Sequence, residues 1–247
     1  MKSQVAYVVN ANPDYLEMTR TSIRLLRHHN ASIPVIVFLI DDVRYRQPAG
    51  FFDFCARWDI RIRTCPDVSH GYFQDNKVHV GQCEGDRVLV LDADTFVFAD
   101  PEELFNTYAG FDVVGCTNDW AWHRGYQTDL IPGDPAPLNS GVLLCSSRFL
   151  RSWTKQMPGL HEALRTGGRF PALTRWLYQV SANAYNREEF GLTICSRDPG
   201  FRTTHFAEAD CKLLKYKRLD SDLARFRSCT RIFHSYSQHW RRCAARL

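Results

Sequence analysis

The stretch RVLVLDADTFVFADPEELF, residues 87–105, decides how the rest of the chain is interpreted. Its start, Arg87 to Leu91, is the mostly apolar and β-branched run of a buried strand, and Asp92 and Asp94 follow directly. Because side chains alternate along an extended backbone, residues that are two apart point the same way. Two carboxylates held that close repel each other unless a cation or a proton lies between them. The stretch therefore predicts a buried strand that ends in a cation site.

The composition is that of one ordinary globular domain. The 247 residues are 45% hydrophobic and 23% charged, so we expect a single domain over residues 1–247. The formal charge of +4 is too small to indicate a nucleic-acid partner. Arginines are concentrated at the C-terminus in HWRRCAARL, which favours one anionic site or a weak peripheral contact with a membrane.

Nine cysteines are scattered along the chain without a C-x-x-C pair, so their spacing indicates neither a zinc site nor a redox motif. Several lie in apolar runs, where a free cysteine behaves as a small hydrophobic residue. We expect reduced, buried thiols in a cytoplasmic protein. The sequence has no apolar segment of membrane-spanning length, and its first residues lack the apolar core of a signal peptide.

Apolar runs alternate with helical patterns through the first half of the chain. Strands are predicted at VAYVV, PVIVFLI, DIRIRTC and RVLVLDA, with a helix over Pro13–His29 and a Phe-rich segment over residues 51–58. Asn12 and Asp100 are predicted N-caps, the latter in a capping box with Glu103. This order predicts an α/β domain with a mostly parallel, Rossmann-like central sheet flanked by helices.

The second half of the chain is less regular. Strands are predicted at FDVVGC, SGVLLC, GLTIC and RIFHSYS, and helices at SRFLRSWTKQM and around residues 173–185. Residues 117–137 form a polar and aromatic connector with three prolines. Ligands of open α/β sheets bind beyond the carboxyl ends of the strands, which is where Asp92 and Asp94 lie.

Three motifs occur in a fixed order: VLVLDADTFVFADPEELF, then PLNSGVLLCSSRFL, and near the C-terminus FHSYSQHW. They resemble the D-x-D element, the N-S-G strand and the histidine motif of the retaining glycosyltransferases of the glycogenin and lipopolysaccharide galactosyltransferase type. The resemblance implies a single glycosyltransferase A domain, with residues 1–117 as the donor-binding half and residues 118–247 as the sugar and acceptor half. It implies transfer of a sugar, with retention, from a nucleoside diphosphate donor (uridine is the expected base) to a carbohydrate, peptide or small-molecule acceptor.

By this resemblance, Asp92, Asp94 and His234 bind a divalent metal ion, with Asp94 the firmer ligand and Asp92 also near the ribose. The chemistry agrees, because a departing nucleoside diphosphate gains negative charge that a divalent cation stabilises without proton transfer. Carboxylates suit Mg²⁺ or Mn²⁺, and one imidazole beside them favours Mn²⁺. A metal ion would explain why two carboxylates follow a buried strand.

The resemblance also assigns residues to donor binding. Asn10, Asn12 and Tyr15 follow the first strand and are placed around the base, with Tyr15 able to stack on its ring. Lys77 takes the place of a basic residue that approaches the donor sugar or its phosphate. The family has Gly-Lys-Pro-Trp after its C-terminal histidine where this chain has SYSQHW, so His239 is predicted to contact the diphosphate, with Arg241 and Arg242 as alternatives.

The sugar-binding and catalytic residues are the last set that the resemblance implies. Asn139 and Ser140 are expected to hydrogen-bond the sugar hydroxyls, and Asn139 and Gln179 are the predicted catalytic residues. Where this chain has Tyr178 and Gln179, the family has the pair Asp-Gln, so the family's Asp is replaced by Tyr178.

Two further groups of side chains are candidates for the sugar and acceptor side. Glu188 and Glu189 are the alternative sources of the missing carboxylate. Flat amphipathic side chains that bind sugar rings are abundant in the connector: Trp120, Trp122, His123 and Tyr126.

Three other functions compete with this interpretation. A haloacid-dehalogenase-type phosphatase also uses two aspartates one apart, but it needs Thr or Val where this chain has Phe96. A nucleotidyltransferase needs a Gly-rich loop after the first strand, and VVNANPDY has no glycine. A degenerate glycosyltransferase fold that serves as a binding or scaffold module is the non-enzymatic alternative.

Overall fold

The computed structural model describes most of the chain: residues 1–45, 48–69, 73–117, 138–166, 191–192, 195–213, 231–235, 237–245 and 247. Within these ranges no helix is long and apolar enough to cross a membrane.

The strands of these ranges are numbered in chain order: β1 (Ser3–Asn10), β2 (Val35–Asp41), β3 (Ile60–Pro66), β4 (Arg87–Leu91), β5 (Thr95–Val97), β6 (Val113–Thr117), β7 (Leu138–Ser146), β8 (Thr203–His205), β9 (Cys211–Leu213) and β10 (Ile232–His234). The main helices are α1 (Pro13–His29), α2 (Ala49–Arg57), a 3₁₀ helix (Phe73–Gln82), α3 (Glu102–Thr107), α4 (Ser147–Thr166) and α5 (Ser237–Ala244).

A seven-stranded sheet, here called the large sheet, forms the centre of the fold in the order β3-β2-β1-β4-β7-β6-β8. Six of its strands run in one direction, and β7 runs against both of its neighbours. The prediction of a mostly parallel α/β sheet is therefore confirmed. The reversal of β7 matters for the site, because it brings the amino end of β7 to the carboxyl end of β4.

Helices cover both faces of the large sheet. Alternate residues of β1 point to opposite sides: Val5 and Tyr7 join the core formed with α1, α2 and α3, whereas Ala6 and Val8 join the core formed with the 3₁₀ helix and α4. Strands buried on both faces are continuously apolar, as the sequence of β1, β2 and β4 is.

The first helix begins as the sequence predicts. The Asn12 side chain accepts a hydrogen bond from the backbone N–H of Asp14 at 3.0 Å, which satisfies one of the free amides of the helix start. Leu16, Ile23 and Leu26 are buried on the face that packs on the large sheet.

A second sheet of three short strands, here called the small sheet, has the order β5-β10-β9. Strand β5 starts directly after Asp94 and pairs antiparallel with β10, so Thr95 lies opposite His234. Phe96 of β5, Phe233 of β10 and Cys243 of α5 are fully buried together. This core holds the C-terminal segment against the D-x-D turn.

Three local predictions need correction. The described residues of the predicted strand GLTIC are helical, as Gly191–Leu192 and Cys195–Ser196 show. Leu192 and Cys195 are three apart and both buried, which is helical spacing. The helix predicted to start after Asp100 begins at Glu102, although Asp100 Oδ1 still accepts the Glu102 N–H at 2.9 Å.

The final strand is shorter than RIFHSYS, because it ends at His234 and α5 begins at Ser237. The helix predicted around residues 173–185 lies outside the described residues.

Candidate metal centre and donor cleft

The D-x-D residues occupy a tight turn between β4 and β5. The backbone N–H of Asp92 donates to the carbonyl of Gly141 on β7 at 2.8 Å, which continues the β4–β7 pairing by one residue. The carbonyl of Asp92 accepts from the hydroxyl of Thr95 at 2.8 Å and from its N–H at 3.3 Å. These bonds fix the backbone on both sides of the two carboxylates.

His234 reaches the same turn from the small sheet. The residue after it, Ser235, donates both its N–H, at 3.1 Å, and its hydroxyl, at 2.9 Å, to the carbonyl of Asp94. Each such bond contributes about 1 kcal/mol net. The Asp94 backbone and the His234 strand are therefore joined directly by hydrogen bonds.

The three side chains converge on one point. His234 Nε2 lies 3.1 Å from Asp94 Oδ1 and 3.9 Å from Asp92 Oδ2. One ligand atom from each residue can be chosen so that all lie within 4.8 Å of one another. Adjacent ligands of an octahedral cation with bonds of about 2.1 Å are about 3 Å apart, so this set fits a hard divalent ion.

The electrostatics of the cluster also favour a cation. His234 is 3% exposed. Its burial lowers the pKa of the imidazole, but the carboxylates of Asp94 and Asp92 outweigh that effect and raise the pKa above its usual 6.5. The pocket therefore stabilises positive charge beside the two carboxylates, which is what a metal ion would bring.

Gly141 makes room for the imidazole. A Cβ atom at this position would lie 2.1 Å from His234 Cε1 and 2.5 Å from Nδ1. A methyl group cannot occupy that space while the ring keeps its place. The glycine of N-S-G thus has a steric role in addition to its backbone contact with Asp92.

Lys77 joins the cluster from the 3₁₀ helix. Its ammonium is buried, 2.9 Å from Asp92 Oδ1 and 2.8 Å from Ser140 Oγ, and it also donates to the Ser140 carbonyl at 3.1 Å. Lys77 therefore shares Asp92 with the metal position and links the N-S-G segment to the D-x-D turn.

A small cavity of about 100 Å³, partly open to solvent, lies against the cluster. Its lining residues come from β1, α1, the 3₁₀ helix and the D-x-D turn: Val8, Val9, Tyr15, Phe73, Gln74, Lys77, Asp92, Ala93 and Asp94. Five of these were not predicted from the sequence: Val8, Val9, Phe73, Gln74 and Ala93. For Phe73 and Gln74, the place just before Lys77 in FQDNK was a usable signal.

Asn10 ends β1, directly after the cavity-lining Val8 and Val9, and both Asn10 and Asn12 use their side chains internally. Asn10 Oδ1 accepts the Asn12 N–H at 3.2 Å, and Asn12 Nδ2 donates to the Tyr45 hydroxyl at 3.0 Å. Asp42, at the end of β2, completes this edge, and the Arg44 guanidinium holds the pKa of its carboxyl below the usual value.

Other predicted site residues are placed as follows. Asn139 is buried and accepts the Gly141 N–H at 3.0 Å, so it shapes the N-S-G turn. His239 lies on α5 and is not among the described residues that line the cavity. Arg241, on the same helix, pairs with Asp14 at 3.0 Å on the surface.

Several predictions fall outside the described residues. They are the catalytic Gln179 with its neighbour Tyr178, the alternative carboxylates Glu188 and Glu189, and the aromatic residues Trp120, Trp122, His123 and Tyr126.

Comparison with solved structures finds the same architecture in several enzymes. The galactosyltransferase LgtC, in complex with donor and acceptor sugar analogues, matches at a TM-score of 0.59 and 14% identity over 99% of this chain and 96% of its own. The chain has a glycosyltransferase A fold. Mouse xyloside xylosyltransferase 1 matches at a TM-score of 0.56 and 13% identity over 96% of this chain and 98% of its own.

The glycosyltransferase GlyE of Streptococcus pneumoniae TIGR4 gives a TM-score of 0.63 at 13% identity, covering 98% of this chain and 61% of GlyE. No protein-family model and no curated protein matches the sequence. The likeness to known proteins is therefore one of fold.

Proposed function

We propose that this protein is a metal-dependent glycosyltransferase that moves a sugar from a nucleoside diphosphate sugar, with UDP as the nucleotide, to an acceptor. The observation that carries the proposal is the convergence of Asp92, Asp94 and His234 beside an open cavity at the carboxyl end of β4. Solved glycosyltransferases with the same fold support it, LgtC with its donor and acceptor sugar analogues among them.

In this proposal, Asp92, Asp94 and His234 hold a divalent ion, Mn²⁺ or Mg²⁺. When bound, the ion would stabilise the charge of the departing diphosphate. The protein's own part is to keep two carboxylates and an imidazole in place before the donor arrives, so that no reorganisation is needed when the charge develops.

Lys77 provides a second positive charge on the donor side. Its ammonium lines the cavity while it is anchored on Asp92 and Ser140. A phosphate oxygen or a sugar hydroxyl in the cavity would compete with these anchors for its hydrogen bonds. Tyr15 lines the same cavity and offers a flat ring to the base.

Retention of anomeric configuration is the stereochemistry we propose. An inverting enzyme needs a carboxylate free to act as a base, and the two carboxylates of the described cavity lining both belong to the metal cluster. Gln179 and Asn139 remain the proposed catalytic residues. The acceptor is a carbohydrate, a peptide or a small molecule.

The proposal is tested by titrating UDP into the purified protein with Mn²⁺ and again with EDTA, followed by a panel of UDP-sugars. We expect UDP to bind only with the metal and one UDP-sugar to be slowly hydrolysed, with a retained product when NMR follows the released sugar. A scaffold would bind nucleotide without turnover, and a phosphatase would release phosphate from simple esters. Either outcome would contradict the proposed activity.

A further inference from the structure

Two cysteine side chains meet where the large sheet and the small sheet adjoin. Cys116 Sγ and Cys211 Sγ lie 2.9 Å apart, closer than two unbonded thiols ordinarily pack. Both residues are free cysteines and each is 4% exposed. The pair is separated by 95 positions in the sequence, so only the tertiary fold brings the two sulfur atoms together.

The two strands that carry this pair belong to different sheets. Cys116 is on β6, opposite Asn139 of the N-S-G segment in the large sheet. Cys211 begins β9 of the small sheet, opposite Ile232, which is two residues before His234. The pair therefore lies between the strand that supports N-S-G and the strand that carries the metal-binding histidine.

The backbone around the pair is already in register. The Phe206 N–H donates to the Gly115 carbonyl at 3.0 Å, and the Tyr108 hydroxyl donates to Asp210 at 2.7 Å. These contacts hold the residues just before both cysteines. A bond between the two sulfur atoms would need their approach by less than 1 Å, to the usual length of about 2.05 Å.

We propose that Cys116 and Cys211 form a disulfide that fastens the small sheet to the large sheet. The reaction is thiol–disulfide exchange with a low-molecular-weight disulfide. Two thiol S–H bonds and the S–S bond of the oxidant break, the Cys116–Cys211 bond forms, and the oxidant leaves as two thiols that carry the two protons and two electrons. The described cysteines are free in the structure, as the sequence predicts. The proposed disulfide departs from that expectation for this one pair, and it does not depend on the proposed enzymatic activity.

The bond would raise the stability of the folded protein, and the burial of its thiols limits when it can form. Closing a loop of this length restricts the unfolded chain strongly, so the oxidised protein should be the more stable form. In the folded chain burial raises the pKa of the Cys211 thiol, so thiolate is scarce and exchange is slow. The disulfide therefore forms as the two sheets dock during folding.

The experiment refolds the full chain from denaturant in a buffer of reduced and oxidised glutathione, and in parallel in dithiothreitol. Mass spectrometry of a non-reduced digest should find the peptides of Cys116 and Cys211 joined. The oxidised protein should melt about 5 °C or more above the reduced protein. This comparison uses the unmodified chain and therefore does not depend on a variant that folds.

Two variants assign the effect to the pair. Cys211→Ser should lose the difference in melting temperature between the two buffers, whereas Cys145→Ser, which changes another fully buried cysteine on β7, should keep it. The proposal is overturned if the joined peptides are absent, if either cysteine pairs with a different one, or if the two forms of the unmodified chain melt at the same temperature.

Discussion

The candidate metal centre draws its two kinds of ligand from regions that are built in different ways. The aspartates follow β4, a central strand of the large sheet, and their turn is fixed by bonds to Thr95, one residue after Asp94, and to Gly141 on the neighbouring strand β7. The histidine lies in a three-residue strand at the far end of the chain, held by Thr95 across the small sheet and by Ser235. The aspartate side is thus fixed by the main core, whereas the histidine side depends on how the C-terminal segment docks.

Substitutions on the two sides should therefore have different kinds of effect. Changes on the aspartate side remove charge from a rigid frame and should leave the fold intact. Changes on the histidine side should alter how tightly, and over which pH range, a metal ion is held.

The largest effect is expected for Asp94→Ala. It removes the carboxylate that lies 3.1 Å from His234 and should weaken Mn²⁺-dependent UDP binding by about 100-fold or more, because a ligand atom itself is lost. Calorimetric titration of UDP with Mn²⁺ measures the change. Above the raised pKa of His234, where the imidazole is neutral, the melting temperature without metal should not fall, because the like-charge repulsion from Asp92 is relieved.

A matched control is Asp53→Ala, which removes an exposed carboxylate on α2 and should bind UDP as the unmodified protein does. If Asp94→Ala unfolds, the acids are structural caps and the metal interpretation fails.

His234→Ala should have the next largest effect, a loss of Mn²⁺ affinity of about 10-fold, since two carboxylates remain. The pH dependence is the sharper readout. The carboxylates raise the pKa of His234 above 6.5, so below that raised pKa the imidazole carries a proton that competes with the metal. Mn²⁺-dependent UDP affinity should therefore fall as the pH drops through the raised pKa of His234.

The same shift predicts the opposite trend for the metal-free protein. A raised folded-state pKa contributes stability below the unfolded value, about 6.5, and that contribution is lost as the pH rises through the folded pKa. Both pH trends should be absent from His234→Ala. Identical pH curves for the two proteins would show that His234 does not bind the metal.

Gly141→Ala is expected to weaken Mn²⁺ binding by up to about 10-fold, because the new Cβ would displace the His234 ring. Gly81→Ala is the matched control: its Cβ would lie 2.3 Å from Thr154 Oγ1, a comparable clash that is remote from the metal centre. That variant should lose stability without losing metal affinity.

The double variant Gly141→Ala/His234→Ala separates the steric effect from the backbone effect. Because the ring is absent, the alanine at 141 should cost no further metal affinity beyond His234→Ala alone. A full additional loss in the double variant would mean that Gly141 acts through its backbone contact with Asp92 and not through the ring.

Lys77→Met should produce the smallest change in Mn²⁺ affinity. Unlike the other variants, it should strengthen the binding of Mn²⁺ in the absence of nucleotide. Removing the ammonium that lies 2.9 Å from Asp92 should strengthen Mn²⁺ binding without nucleotide by about 5-fold, because a like charge is removed. UDP binding and donor hydrolysis should weaken. Lys155→Met on the exposed side of α4 should change neither property, and equal Mn²⁺ affinity in both variants would contradict the shared role of Asp92.

Features that depend on neighbouring residues could be predicted from the sequence, whereas features that depend on distant contacts could not. Asp92 and Asp94 were accessible because a buried strand and the acids that end it are adjacent in the chain. The parallel strands and the start of α1 at Asn12 were accessible for the same reason, since apolar periodicity and capping are local signals.

The features that escaped prediction depend on distant partners. The reversal of β7, which brings Gly141 to Asp92, leaves no mark in the apolar run SGVLLC. The separate small sheet could not be seen in RIFHSYS, because its three-residue strands are too short for a periodic signal. GLTIC was assigned the wrong structure because a short apolar run fits a strand and a buried helical turn equally well.

We propose that Asp92, Asp94 and His234 hold one divalent ion to which a nucleoside diphosphate binds. Pulsed electron paramagnetic resonance on the full chain loaded with Mn²⁺ and UDP tests it directly. We predict a nitrogen coupling from the imidazole that disappears in His234→Ala, and a phosphorus coupling from the diphosphate that is lost together with bound Mn²⁺ in Asp94→Ala. Bound Mn²⁺ that shows neither coupling in the unmodified protein, or couplings that persist unchanged in both variants, would contradict the account.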